Sequence, residues 1–271
     1  MELSEDKEFL MTAADFEFIR ELAYRQTGIV LPERKQHMVY SRLCRRLRAL
    51  RLPNFKNYCQ YLSETPAELG QFINALTTNL TAFFREEHHF DYLKDTVVND
   101  WMKQHKRRIR IWSSACSTGE EPYSIAMSVA GMFANAGCDI KILATDLDTN
   151  VLQKAQSGIY SSDALENIPV EYHEKFLMRS ADQIKIKEKL QKYIHFKQLN
   201  LLNDWPMQGP FDVIFCRNVL IYFDSETKQK IIQKFRRLLA DDGVLFIGHS
   251  ETLHQISDEF TLLGHTIYKP R

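Results

Sequence analysis

Ile109-Arg110-Ile111-Trp112-Ser113-Ser114-Ala115-Cys116-Ser117-Thr118-Gly119-Glu120-Glu121-Pro122-Tyr123-Ser124 is the stretch on which the fold turns. It reads as a strand, a turn of small residues and the opening of a helix. That order is the ligand-facing unit of an α/β sheet, where small side chains let a bound molecule approach the backbone at the strand's carboxyl end. The turn is neither GxGxxG nor a Walker loop, which needs Gly-Lys-Ser/Thr. Its two carboxylates, Glu120 and Glu121, would repel a pyrophosphate. Either they serve only the positive end of the helix dipole, or they receive a cationic group.

Outward from this unit, short apolar runs alternate with amphipathic stretches, as expected of a parallel sheet covered by helices. Strands are expected at Ile109–Ser114, Ile140–Thr145, Tyr193–Gln198, Phe211–Cys216 and Val244–Gly248, with helices at Pro122–Ala136, Thr149–Gln156 and Ser225–Ala240. Phe260–Tyr268 reads as an antiparallel edge hairpin. Residues 158–192 interrupt the rhythm, and the alternation Ile184-Lys185-Ile186-Lys187 marks a small β insertion there. Upstream, residues 11 to about 90 read as helices: Ala13 to about Gln26, then from Pro32 with the stripe Val39, Leu43, Leu47 and Leu50, then Phe55–Leu62, then from Pro66. The expected domains are therefore 1–90, all helical, and 91–271, doubly wound α/β.

The chain has 271 residues, 44% hydrophobic and 26% charged, with zero net charge. These values fit a soluble globular protein with no general attraction for nucleic acid. Its start is charged and carries no apolar signal core, and no apolar run reaches the ~20 residues that span a bilayer, so neither secretion nor membrane insertion is expected. The five cysteines form no CxxC pair, which argues against a zinc site or disulfide framework and for the cytoplasm. Charge is unevenly spread: from Arg34 to Lys56 eight basic residues occur with no acidic one, and Arg45, Arg48 and Arg51 fall away from the apolar stripe.

Two further stretches bear chemistry. In Ala144-Thr145-Asp146-Leu147-Asp148 an acid ends a strand 27 residues after Gly119, the position of a ribose-hydroxyl acceptor, while Asp148 suits a helix N-cap. In Phe215-Cys216-Arg217-Asn218-Val219-Leu220-Ile221-Tyr222-Phe223 a buried strand runs directly into polar residues that face the cleft, unless Arg217 pairs with a structural carboxylate and Tyr222 is core. His88-His89 has no partner at metal-ligand spacing and is expected at the surface or between domains. Gly248-His249-Ser250-Glu251-Thr252 fails as a hydrolase elbow, because GxSxG needs glycine where Thr252 stands.

Together with Asn79-Leu80-Thr81-Ala82-Phe83-Phe84-Arg85-Glu86, these motifs resemble, in order and over most of the chain, the CheR family of chemoreceptor glutamate methyltransferases. The resemblance implies a helical domain joined to a Rossmann-like domain that binds S-adenosylmethionine (SAM) and releases S-adenosyl-L-homocysteine. It implies that Asn79, Thr81 and Arg85 enter the cleft from the helical side, and that Glu121 takes the SAM amino group and Asp146 the ribose. Asn200-Leu201 would flank the adenine, Arg217 and Asn218 would line the cleft, and Arg85 and Tyr222 would stand near the transferred methyl. The substrate would be glutamates in the receptor's cytoplasmic helical bundle, contacted by the basic helix 32–52, with no nucleic-acid partner. Some members dock on a receptor C-terminal peptide through the insertion and carry spaced glycines there. This chain has none between Gly158 and Gly209, so docking independent of such a peptide is expected. The alternatives are a nucleic-acid methyltransferase, supported only by the basic run, and a non-catalytic SAM-binding regulator.

Overall fold

The computed structural model describes residues 8–133 and 137–271. The last turn of the helix expected to reach Ala136 lies outside the described residues. By contacts the chain forms two compact units, one up to Thr78 together with Tyr222–Asp224, the other Asn79–Ile221 with Ser225–Arg271.

The first unit is helical. Helix α1 (Ala13–Thr27) starts in a reciprocal capping box, in which Thr12 and Asp15 each bind the other's backbone N–H, and ends on Gly28 at φ 72. That left-handed cap is where glycine avoids a Cβ clash. A 3-10 turn at Glu33–Lys35 leads into α2 (Gln36–Leu50), followed by α3 (Phe55–Glu64), capped by Asn54, and α4 (Leu69–Leu76) after a second 3-10 turn at Pro66–Glu68. Val39, Leu43 and Leu47 of the expected stripe are fully buried and pack with Ile19, Phe55, Tyr58 and Phe72.

The second unit carries a seven-stranded sheet. Its strands are β1 (Arg108–Ser113), β2 (Asp139–Asp146), β6 (Ile194–Gln198), β7 (Phe211–Cys216), β8 (Leu239–Ile247), β9 (Phe260–Gly264) and β10 (Ile267–Pro270), in the order β6-β2-β1-β7-β8-β10-β9. The first five are parallel, and β10 and β9 form the expected antiparallel edge. All six residues of β7 are buried, including Asp212, because a parallel strand covered on both faces has no solvent side. The helix expected to reach Ala240 stops at Leu238, since Leu239 already pairs with Phe211.

Between β2 and β6 the chain makes the expected insertion. Strands β3 (Ile159–Ser161), β4 (Leu177–Arg179) and β5 (Gln183–Ile186) form an antiparallel sheet in the order β3-β5-β4. Ile184 and Ile186 are fully buried while Lys185 is exposed, the period-two alternation of a strand with one covered face.

The expected boundary at 90 does not follow the contacts. Residues 79–90 group with the second unit, because Phe83, Phe84 and Phe90 sit in its core with Tyr123, Tyr172 and Phe215. Helix α5 (His88–Tyr92), a π-helical stretch (Leu93–Val98) and α6 (Asn99–Lys103) then lead to β1.

Candidate active site

Neighbouring strands β1 and β7 lie where the strand order reverses direction, and a crevice opens at such a point outside the carboxyl ends. The two strand ends are stitched together: Ser114 donates its N–H (2.9 Å) and its hydroxyl (3.0 Å) to the carbonyl of Phe215. The turn after β1 is closed by Cys116 N–H to Thr145 O (2.8 Å), which also ties it to β2. Gly119 then opens helix α7 (Glu120–Phe133) at φ +98, and a Cβ there would lie 2.8 Å from the Ala155 Cβ. Only glycine fits both the backbone angle and the packing against α8 (Thr149–Ser157).

Three charged side chains meet at this crevice. Arg217, which follows β7, has Nη1 3.1 Å from Glu121 Oε2 on α7 and Nη2 3.2 Å from Glu86 Oε2. Nη2 also donates to the Arg85 carbonyl, and the guanidinium lies over the Phe90 ring at 5.5 Å. The three side chains are only 2%, 10% and 9% exposed, so the group is a desolvated triad of net charge −1. Burial raises Glu121 against the opposing pull of Arg217 and of the Ser113 hydroxyl 2.7 Å away. Burial also pushes Glu86 upward, but Arg217 and the hydrogen bonds from His249 and Asn218 outweigh it and hold Glu86 at about 2. Arg217 thus does pair with structural carboxylates, and one of them, Glu121, is an expected cofactor residue.

Asp146 ends β2, half-buried. It accepts the N–H of Ser117 (2.8 Å) on Oδ2 and that of Asp148 (3.0 Å) on Oδ1. A carboxylate has about four lone-pair positions, so with these bonds and the Leu147 N–H nearby, one position remains for a ribose hydroxyl. Burial lifts its pKa to about 6, against those N–H donors. Asp148 takes the expected N-cap of α8, accepting from Asn150 N–H (2.8 Å) and, on its other oxygen, from the Asn79 amide (2.7 Å). Asn79 also accepts the Ser117 hydroxyl on its carbonyl (2.9 Å), which binds the first motif of the second unit to the turn after β1. Leu199 N–H reaches the Asp146 carbonyl (2.9 Å), so Asn200 and the buried Leu201 leave β6 beside the Asp146 strand end.

Asn218 stands at φ 56, a left-handed angle at which Asn is among the few tolerated side-chain residues. Its N–H donates to Glu251 Oε2 (3.0 Å) and its amide to Glu86 Oε1 (3.2 Å). Glu251, set aside with the failed elbow motif, is the residue that organises this loop. It also accepts from Gly248 N–H (2.7 Å) and Ile221 N–H (3.2 Å), and burial raises its pKa. An isolated acid in a strand-end Gly-His-Ser-Glu stretch signals little by itself, because two of its partners are backbone N–H groups 30 and 33 residues away.

Of the two residues expected near the reacting atoms, Arg85 is half-buried and its guanidinium makes one hydrogen bond among the described residues, to Leu80 O (2.8 Å). Thr81 is half-buried on the same segment. Tyr222 groups by contact with the first unit, where its carbonyl accepts Val30 N–H (2.9 Å) and the Lys35 ammonium lies 5.2 Å above its ring. Of His88-His89, expected at the surface or between domains, only His88 is exposed. His89 is fully buried and donates from Nε2 to the His265 carbonyl (2.9 Å), and burial with the nearby Arg217 charge lowers its pKa to about 4.

Comparison with known proteins agrees with this geometry. Residues 14–77 match the CheR methyltransferase all-alpha domain and residues 79–269 the CheR methyltransferase SAM binding domain. The chain is 44% identical to chemotaxis protein methyltransferase 2 of Pseudomonas aeruginosa over 270 residues, covering 98% of this chain and 96% of the relative. It is 45% identical to the chemotaxis protein methyltransferase of Escherichia coli (95% and 91% covered) and 39% identical to that of Borreliella burgdorferi (86% of each). A SAM-type strand-end crevice, a preceding all-α unit and these full-length matches together place the chain in the CheR methyltransferase family.

Proposed function

We propose that the protein transfers the methyl group of SAM to glutamate carboxylates of chemoreceptors, forming γ-methyl esters in the adaptation branch of chemotaxis. The observation that carries this reading is the convergence of Glu121, Asp146 and Arg217 at the carboxyl ends of β1, β2 and β7, in a chain matched by both CheR domains.

The residues present fit SAM. The turn Ser114–Gly119 has only small side chains, so a ligand can lie against its backbone. Asp146 offers its spare lone pair to a ribose hydroxyl, and Asn200-Leu201 flank the adenine. Glu121 belongs to a triad of net charge −1, which favours the cationic amino group, and Asn79, Thr81, Arg217 and Asn218 complete the binding set. SAM supplies a methyl group on a sulfonium, an already activated leaving group. A glutamate side chain of pKa ~4.3 is ionised at neutral pH and needs no general base. The protein's task is alignment, which can contribute up to ~7–11 kcal/mol. Arg85, with most of its guanidinium donors uncommitted, holds the substrate carboxylate, and the Tyr222 hydroxyl orients it.

The receptor surface is the exposed face of α2. That face is less cationic than the residue count suggests. Arg42 donates to the carbonyls of Leu76 and Thr77, Arg46 grips the buried Glu68 through two hydrogen bonds (2.8 and 2.7 Å), and Arg48 pairs with Glu8. Arg45 and Arg51 are exposed with no ion pair among the described residues, and these two carry the proposed contact with the acidic methylation region. Among the described residues no helix is long and apolar enough to cross a membrane, consistent with action on the receptors' cytoplasmic bundle.

Transfer of labelled methyl from SAM to receptor fragments, run beside RNA and DNA, tests the proposal. Base-labile label on receptor glutamates is expected. Label on nucleic acid alone would move the protein to the other methyltransferase class, and label on nothing, with SAM bound, would make it a SAM-binding regulator.

A further inference from the structure

Glu86, His88 and His89 bring their ligand atoms within 4.8 Å of one another. The more telling observation lies between two of them. His89 Nδ1 and Glu86 Oε2 face each other at 3.4 Å and both are buried; Oε2 has the Arg217 guanidinium at 3.2 Å, and neither atom has a hydrogen-bond partner among the described residues. The roles of the His89 nitrogens are fixed by the fold. Nε2 lies 2.9 Å from the His265 carbonyl, which can only accept, so Nε2 carries the proton. Nδ1 of the neutral ring is then a lone pair pointing at a carboxylate oxygen. Two buried acceptors aimed at each other are unfavourable unless something positive stands between them.

We infer that Glu86, His88 and His89 form a binding site for a single divalent transition-metal ion of the zinc class. Separation is the first argument: ligand atoms of a tetrahedral ion with bonds of about 2.0–2.1 Å are about 3.4 Å apart, which is the Nδ1–Oε2 distance. Orientation is the second. A ligating imidazole in metal sites donates its other N–H to a carbonyl or carboxylate, and the ligating carboxylate is itself hydrogen-bonded. His89 Nε2 meets the His265 carbonyl, and Glu86 Oε1 receives the Asn218 amide (3.2 Å) and His249 Nδ1 (2.9 Å). Local chain geometry is the third. Glu86 sits at φ 59, turning the chain just before α5, and the His88 and His89 rings lie side by side with centroids 4.2 Å apart. Arg217 lies 3.2 Å from the same Oε2, yet Glu86 and Glu121 together outweigh its charge. Two imidazoles with one carboxylate select zinc, cobalt or nickel over magnesium or calcium, which prefer all-oxygen sites. His88 is exposed, so the fourth position opens to water.

The test uses the full-length protein with Zn2+ and Co2+ as probes. Calorimetry is expected to give one Zn2+ per chain at micromolar affinity, and Co2+ to show the intense visible bands of a four-coordinate site, bleached by Zn2+. His88→Ala, an exposed position whose change leaves the core intact, is expected to weaken Zn2+ at least tenfold and to abolish the Co2+ bands. His89→Ala should do the same. If that variant fails to fold, His88→Ala alone decides. Absence of binding at millimolar Zn2+, or binding and Co2+ bands unchanged in His88→Ala, overturns the site.

Discussion

The two units handle charge in opposite ways. In the helical unit two of the four arginines of α2, Arg45 and Arg48, lie exposed at the surface, and Arg48 and its partner Glu8 are about half exposed. In the α/β unit Arg217 is 2% exposed between two carboxylates. Water screens the first kind of pair and leaves it little net worth, whereas the second has lost its hydration and depends on its partners. Surface charge is therefore available for partners, and buried charge is committed to geometry. Arg46 is the instructive intermediate: on the same helix, it reaches Glu68, which is 5% exposed and also accepts the Tyr58 hydroxyl.

The sharpest way to break this contrast is Arg217→Ala. Leaving Glu121 and Glu86 buried without their counter-charge should cost roughly 3–5 kcal/mol, read by urea denaturation. A loss no larger than that of a surface substitution would mean that the triad is hydrated and the contrast false.

Asp146 comes next. Asp146→Ala should weaken SAM binding by roughly 1.5–3 kcal/mol through loss of a charge-assisted hydrogen bond. Its pKa also sets a sign. The folded value of about 6 lies above the ordinary value of 3.8, so between those values the folded state holds the proton more tightly. Without ligand, this group's contribution makes stability fall as pH rises from about 4 through 6. SAM affinity should rise over the same window as the carboxylate ionises, and both trends should vanish in Asp146→Ala. Calorimetry showing a flat pH profile in the wild type would remove Asp146 from the ribose.

An effect on rate rather than on cofactor binding is expected for Tyr222→Phe, which deletes a single hydroxyl hydrogen bond to the ionised substrate carboxylate, about 1.5–3 kcal/mol. Turnover at saturating SAM should drop roughly 10–150-fold with SAM affinity unchanged. Arg85→Ala should lower turnover in the same selective way. Loss of cofactor binding with the rate preserved would reverse either assignment.

The smallest stability effect belongs to the surface. Arg48→Ala should leave the denaturation midpoint unmoved, while Arg45→Glu with Arg51→Glu should slow receptor methylation, leave SAM binding intact and remove part of the salt dependence of the wild-type rate. Wild-type methylation in the double reversal would reduce the basic face to a solvated surface.

Much of this could be read in the chain because local rules carry it. The Val39-Leu43-Leu47 stripe, the Ile184-Lys185-Ile186 alternation and the Asp148 N-cap each depend on residues within a few turns or one strand, and each is found where period and capping chemistry place it. Three readings fell short for one reason. The boundary at 90 missed Phe83, Phe84 and Phe90 packing into a core that extends through the strands as far as Phe246 and Ile267. The reading of helix 32–52 as a basic surface missed Glu68 and Glu8, which belong to other segments. The placement of His89 at the surface or between domains missed the His265 carbonyl, 176 residues away in the same unit.

By itself the sequence determined the element types, the α/β class and the family, because periodicity, turn residues and ordered motifs are local or additive along the chain. The tertiary structure decided which charges are buried together. Glu86 and Glu121 are each brought within 3.2 Å of Arg217 from separate segments, Asn218 is fixed by a glutamate 33 residues later, and Tyr222 groups with the helical unit. Desolvation and Coulomb energy depend on distance in space, and strand order at the β1–β7 switch point sets that distance for groups that the chain keeps far apart.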